Sequence, residues 1–259
     1  MEEALDLPIN HFKRAIKSGQ QQIGFWCSLA SHISAEMLSG SGFDWLLLDT
    51  EHSPNEIPMV YSQLQAVASG GPAHPAVRIP WNDTVVIKRF LDAGVQTLLI
   101  PNVQTEEEAK HAVAATRYPP LGVRGFASAS RSSRFGRIKD YHTRCHEEIC
   151  VVLQIETRLA LENLEAIARV EGVDSLFIGP GDLSADLGHV GDQGHPEMKR
   201  VIEETVGRIK ACGSIPGILT GDEGLARRAI ELGSLVTAVG SDTGLLARGS
   251  EALAARFKS

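Results

Sequence analysis

The sequence predicts a parallel (β/α)8 barrel that takes in residues 1–259 as one domain. Eight short apolar runs rich in β-formers alternate strictly with segments of helical periodicity, and that alternation is the pattern of a parallel barrel. The runs are continuously apolar and rich in Val, Ile and Leu, as strands buried on both faces must be. The chain, at 259 residues with 43% apolar and 22% charged residues, is also long enough for one large core.

The predicted strands are QIGFWCSL (22–29), WLLLDT (45–50), PAVRIP (75–80), TLLIP (97–101), CVVLQIE (150–156), SLFIGP (175–180), IPGILT (215–220) and LVTAVG (235–240). The predicted helices run from Ser34 to Ser39, Glu56 to Ala68, Asp83 to Ala93, Glu106 to Thr116, Arg158 to Val170, Glu197 to Cys212, Glu223 to Leu232 and Thr243 to Phe257. Ser53-Pro54 offers an N-cap and a first-turn proline for the second helix, and Thr105 with Glu108 forms a capping box for the fourth. Gly94, Gly172 and Gly233 follow helices, where a left-handed residue is wanted. One connection, GVRGFASASRSSRFGRIKDYHTRCHEEI between Thr116 and Cys150, is too long for a turn and reads as functional or mobile. Its arginines Arg124, Arg131, Arg134 and Arg137 are expected to face solvent, with Arg124 beside Gly125 the one to watch.

Charge and composition narrow the function. A net charge of -7 offers no basic field, so neither nucleic acid nor an acidic membrane surface is expected as a partner. No apolar run reaches the roughly 18 residues of a membrane span, and the N-terminal stretch lacks the basic start and apolar core of a secretion signal. Four cysteines without a CxxC pair suit reduced thiols, and a cytoplasmic location is expected.

Barrel enzymes carry their chemistry at the C-terminal ends of the strands. There the sequence places Asp49-Thr50-Glu51-His52 after the second strand, Arg78 at the third, Gln154 and Glu156 at the fifth, and Asp182 after the sixth. Glu156 and Asp182 are two carboxylates aimed at one cavity, which suits a hard or borderline divalent cation or an acid/base pair. Separately, each also fits a structural part: Asp182 as the cap of a short turn, Glu156 as the partner of Arg158. Asp49 and His52 fit an orienting acid and a general base, although a lone rim histidine is more often simply packed. Arg78 matches an oxyanion or a rim salt bridge, for example to Asp49. Trp26 on the first strand suits a pocket wall. His142 and His146, four apart, lie in the polar connection without a third ligand, and a solvated helix is expected there rather than zinc. No lysine falls on a predicted strand, so Schiff-base chemistry has no nucleophile here.

With these residues in place, GFDWLLLDTEHSPN, VRIPWND, FLDAG, ATRYPPLGVRG, QIET, GVDSLFIGPGDLSADLG and AVGSDT recur in the order of the metal-dependent (class II) pyruvate aldolases of the HpcH/HpaI family, and the chain resembles that family over nearly its whole length. The resemblance implies a (β/α)8 barrel that reversibly cleaves a 4-hydroxy-2-oxo acid, such as 4-hydroxy-2-oxoheptanedioate, to pyruvate and an aldehyde such as succinic semialdehyde. A 2-keto-3-deoxy sugar acid is the alternative substrate. By the same resemblance Glu156 and Asp182 hold Mg²⁺, Mn²⁺ or Co²⁺, and Gln154 orients the water around the ligand. The amides about Gly181 and Asp182 receive the pyruvate carboxylate, Arg78 stabilises the enolate oxygen, and His52 paired with Asp49 is the base. It further implies a trimer-based homo-hexamer in which the last helix is exchanged between subunits and Asp92 reaches an adjacent site. Thr50 and Gly181 stand where many relatives have Gly and Ala, and the arginine-rich loop is shortened, which bears on aldehyde preference. A lyase of CoA thioesters would want a basic groove that this acidic chain lacks. A barrel that only binds a keto acid would not need the Asp49, His52, Arg78, Glu156 and Asp182 set.

Overall fold

A computed structural model describes residues 5–258. Of the N-terminal stretch read for a secretion signal, residues 1–4 lie outside the described residues, as does Ser259 of the predicted domain. Eight strands, β1 (Gln22–Cys27), β2 (Trp45–Asp49), β3 (His74–Arg78), β4 (Thr97–Ile100), β5 (Cys150–Ile155), β6 (Ser175–Ile178), β7 (Pro216–Leu219) and β8 (Val236–Ser241), close into a barrel in sequence order. Every pairing is parallel.

The helices are α1 (His11–Lys17), α2 (His32–Ser39), α3 (Ile57–Gly70), α4 (Thr84–Asp92), α5 (Glu106–Ala115), α6 (Tyr141–Arg144), α7 (Arg158–Glu162), α8 (Leu164–Ala168), α9 (Pro180–Asp186), α10 (Pro196–Ala211), α11 (Glu223–Leu232) and α12 (Asp242–Lys258). The Thr105–Glu108 capping box forms at α5, and Gly233 closes α11 in the left-handed region at φ 105°. Two helix expectations are corrected. Ser53-Pro54 does not start α3, which begins at Ile57 with its proline at position 58. The helix expected from Arg158 to Val170 breaks into α7 and α8 at Asn163, whose side-chain amide donates to Gln104 O at 2.9 Å.

Side chains fill the barrel, as the tight packing of parallel barrels demands. Trp26, Trp45, Leu47, Leu99, Val152 and Phe177 pack inside it with Phe12 and Ile16 of α1. A Cβ on Gly24 would stand 2.1 Å from Cε2 of Trp45, so the bare backbone of β1 is what admits that ring. The larger cluster lies between the barrel and its helices. Helix α1 plugs the N-terminal end: Phe12 meets Trp45 and His74 at the starts of β2 and β3, and Lys13 donates to Ile149 O at 2.6 Å. No described lysine lies on a strand, and no described helix is long and apolar enough to cross a membrane.

Candidate active site at the C-terminal mouth of the barrel

Neighbouring strands set the first contact. Asp49 ends β2 and Arg78 ends β3 as register partners, so their side chains emerge together. Arg78 grips Asp49 with both arms of its guanidinium, Nε to Oδ1 at 2.9 Å and Nη2 to Oδ2 at 2.7 Å. Trp26 Nε1 donates to Oδ2 at 3.2 Å and the Glu51 amide to Oδ1 at 3.1 Å. Burial alone would push the Asp49 carboxyl up; the hydrogen bonds and charge of Arg78 win and hold it below the usual carboxylate range. Arg78 is itself buried, and its carboxylate partners raise its pKa against that burial. Its guanidinium carbon lies 5.1 Å from the centre of the Trp26 ring.

The expected Asp49–His52 pair does not form. Asp49 is the last residue of β2, its oxygens already accept four hydrogen bonds, and the chain turns outward after it. His52 is left with a side chain 61% exposed, its Nε2 3.9 Å from Oδ2 of Asp182. That distance is too long for a hydrogen bond, but it places the imidazole across the mouth from one of the two candidate metal ligands.

Glu51 is a residue that sequence reasoning passed over. It forms an ion pair with Arg78 Nη1 at 3.0 Å, without the alignment of a hydrogen bond. Burial, opposed by Arg78 and reinforced by Glu156, Asp49 and Asp182, pushes its carboxyl up to about 7. The available signal was parity, since two residues beyond Asp49 is the same side of an extended chain.

Gln154 and Glu156 stand at the end of β5, both buried. The Asn102 amide donates to Glu156 Oε1 at 2.7 Å, and Gln154 Nε2 donates to Oε2. Burial, with the charge of Asp182, raises the Glu156 carboxyl above its ordinary value. Asp182 lies in the first turn of α9, where helix amides have no acceptor within the helix. The turn before it approaches closely: a Cβ on Gly179 would sit 3.0 Å from Glu156 Cβ and Oε2. Gly181 is unconfined, since a Cβ there would meet only Gln193 Nε2 at 3.7 Å. Trp26, His52, Arg78, Gln154 and Asp182 line a common cavity of about 580 Å³.

Other expected residues lie elsewhere. Asp92 ends α4 at the opposite, N-terminal end of the barrel and accepts from Arg124 Nη2 at 2.7 Å. Arg124 is fully buried, 4.5 Å above the Tyr118 ring, which corrects the expectation that it faces solvent. His142 is not a solvated surface residue either; it is half-buried, bonded to Ala127 O at 3.0 Å and packed on Phe126. A missed cluster, His189, His195 and Glu197, brings donor atoms within 4.8 Å of one another; none of the three lines the mouth cavity, although Gln193 between them does. Its two imidazoles stack at 3.7 Å, and rings stacked face to face do not aim their in-plane nitrogens at one ion.

A parallel barrel whose C-terminal mouth gathers an arginine, a histidine and oxygen-donor acids is a barrel enzyme by class. The chain belongs to the HpcH/HpaI aldolase/citrate lyase family, whose model matches residues 22–249. It is 58% identical over 253 residues to a pyruvate aldolase of Rhizobium etli, covering 98% of this chain and 99% of that one. It is 57% identical over 249 residues to a 4-hydroxy-2-oxo-heptane-1,7-dioate aldolase of Salmonella dublin, covering 96% and 94%. The solved structure of an HpcH/HpaI aldolase/citrate lyase family protein from Burkholderia cenocepacia J2315 superposes with a TM-score of 0.92 at 37% identity, over 96% of this chain and 100% of that one.

Proposed function

We propose that this protein is a divalent-metal-dependent aldolase that reversibly cleaves a 4-hydroxy-2-oxo acid to pyruvate and an aldehyde. The observation that carries the reading is the single mouth in which Arg78, locked by Asp49, shares a cavity with Asp182, Gln154 and His52. The names of the relatives support the same chemistry, and that of the Salmonella dublin relative supports 4-hydroxy-2-oxoheptanedioate as the substrate.

Glu156 and Asp182 fit a cation. Glu156 is a buried carboxylate whose hydrogen bonds leave its raised pKa uncorrected, and Arg78 is already shared by Asp49 and Glu51. Excess negative charge and an all-oxygen donor set suit Mg²⁺, Mn²⁺ or Co²⁺. A bound ion would supply Lewis-acid polarisation of the 2-keto group. Arg78, held by Asp49 and lining the cavity, is the cation for the oxygen on which enolate charge develops, which would draw Nη1 from its ion pair with Glu51. The first-turn amides of Gly181 and Asp182 take the substrate carboxylate, and Gln154 holds Glu156 in place. His52 takes the 4-hydroxyl proton as the C3–C4 bond breaks; the bond electrons pass to the enolate, and a proton delivered to C3 completes pyruvate.

Exposed Leu246, Leu253 and Phe257 on α12, and Leu121, Val123, Phe126 and Phe135 on the long connection, support burial between copies in a homo-hexamer. The whole chain acts as one catalytic domain, and its free cysteines suit the reducing cytoplasm. The test is cleavage assayed after exhaustive chelation and after adding back Mn²⁺ or Co²⁺. Loss and recovery are expected, and full activity in the chelated protein overturns the metal assignment. His52→Ala is expected to lose about 10²-fold or more in turnover, the usual scale of a general acid–base contribution.

A further inference from the structure

The cavity is lopsided in its chemistry. Arg78, Gln154 and Asp182 line the side built from β3, β5 and α9, while the side built from β7, β8 and α12 is walled by Leu219, Val239, Leu245 and Arg248. On α12 the residues Gly244, Leu245 and Arg248 follow the spacing of one helical face. The base of that helix is fixed: Asp242 is buried and accepts from the Ser28 and Leu29 amides at 2.8 and 3.1 Å. The direction in which α12 leaves β8, and so the position of Arg248, is therefore set by the barrel.

The two arginines that line the cavity differ in what they have left to give. Arg78 is held by Asp49 and Glu51. Among the described residues Arg248 pairs with Glu251, one turn further along the same exposed helix face, with side chains 75% and 58% exposed, and exposed pairs of that kind are readily exchanged for a better partner. Arg248 lines the same cavity as Asp182 and the apolar wall. A substrate anchored at Asp182 by its keto-acid end would therefore have this guanidinium in the lining that its far end meets.

We infer that Arg248, with Leu245 beside it, is the specificity-determining residue for the aldehyde half. It selects a short aldehyde that ends in a carboxylate over a neutral aldehyde of the same length. This rests on the aldolase reading above and deepens it: the methylenes would pack on Leu219, Val239 and Leu245, and the terminal carboxylate would displace Glu251 from Arg248 in a charge-assisted pair.

The test compares the wild-type enzyme with Arg248→Gln and Arg248→Lys in the addition of pyruvate to succinic semialdehyde and to butanal, with Mn²⁺ present. Metal-dependent exchange of the pyruvate methyl protons in D₂O is followed in parallel by NMR. Arg248→Gln is expected to lose about 10- to 100-fold in kcat/KM for succinic semialdehyde, mainly through KM, as loss of a charged hydrogen bond does. Butanal turnover stays within about threefold, and Arg248→Lys keeps part of the preference. Equal losses on both aldehydes, no loss on either, or a wild-type enzyme that does not favour succinic semialdehyde overturns the inference. If wild-type proton exchange and butanal addition persist in those cases, the aldolase reading stands without it; if the wild type shows neither, the aldolase reading itself has failed.

Discussion

Replacing Asp49 by Asn separates the two roles that its position allows. In the structure Asp49 is the counter-charge of Arg78, and both are buried. Removing one charge of a buried pair leaves the other desolvated and uncompensated, which costs about 3–5 kcal/mol. The asparagine oxygen can still accept one arginine N–H, so the lower end is expected, and at roughly 2–4 °C per kcal/mol the melting temperature should fall by about 10 °C. The sign follows from the depressed pKa of Asp49: its contribution is complete above the ordinary value of 3.8 and disappears as pH falls through the folded value. The deficit of Asp49→Asn is therefore full at pH 7 and shrinks only in acid. Pyruvate proton exchange should drop about 10²-fold, the cost of a misplaced catalytic group. The double variant Asp49→Leu/Arg78→Met should recover at least half of the lost stability, because no charge is left buried. A melting temperature unchanged in Asp49→Asn would refute this account of Asp49 as the buried counter-charge of Arg78.

Glu51→Gln should change how stability depends on pH. Because burial raises the Glu51 carboxyl to about 7 from 4.5, its neutral form is favoured in the folded state, and that preference is lost as pH rises from 4.5 through 7. Metal-free wild type should lose up to about 3 kcal/mol relative to the variant between pH 4.5 and pH 8, measured by urea unfolding with chelator present; parallel stability curves would contradict the assigned cause. Gly179→Ala forces a Cβ to within 3.0 Å of Glu156, and calorimetric Mn²⁺ affinity should weaken at least tenfold. Gly181→Ala meets nothing nearer than 3.7 Å, so its Mn²⁺ affinity should stay within twofold. The reverse order for the two glycines would show that the ion is held elsewhere.

The strands were legible because a strand buried on both faces must be apolar throughout, and the eight runs carry that requirement openly. Gln154, Glu156 and Asp182 were legible for a related reason, since strand ends and their parity locate the mouth. Pairing within the mouth was legible only as alternatives, Asp49 with His52 or Arg78 with Asp49. That Asp49 meets Arg78 depends on the register of β2 against β3, a long-range fact that local patterning does not contain. Arg124 escaped because an arginine on a Ser/Gly-rich connection is ordinarily solvated; here Asp92 and the rings of Tyr118 and Tyr141 replace the water.

The same topology moves the question of aldehyde preference. The arginine-rich connection joins the end of α5 to the start of β5 at Cys150, whose register partner Thr97 opens β4. It therefore lies at the N-terminal end of the barrel, away from Asp182 and His52 of the same chain. The walls that differ from the keto-acid side are the ends of β7 and β8 and the first turns of α12. Residues there can change what the aldehyde half carries without touching Arg78, Glu156 or Asp182. One barrel can thus hold the pyruvate chemistry constant on β2, β3, β5 and α9 while varying its second substrate on the other side of the same mouth.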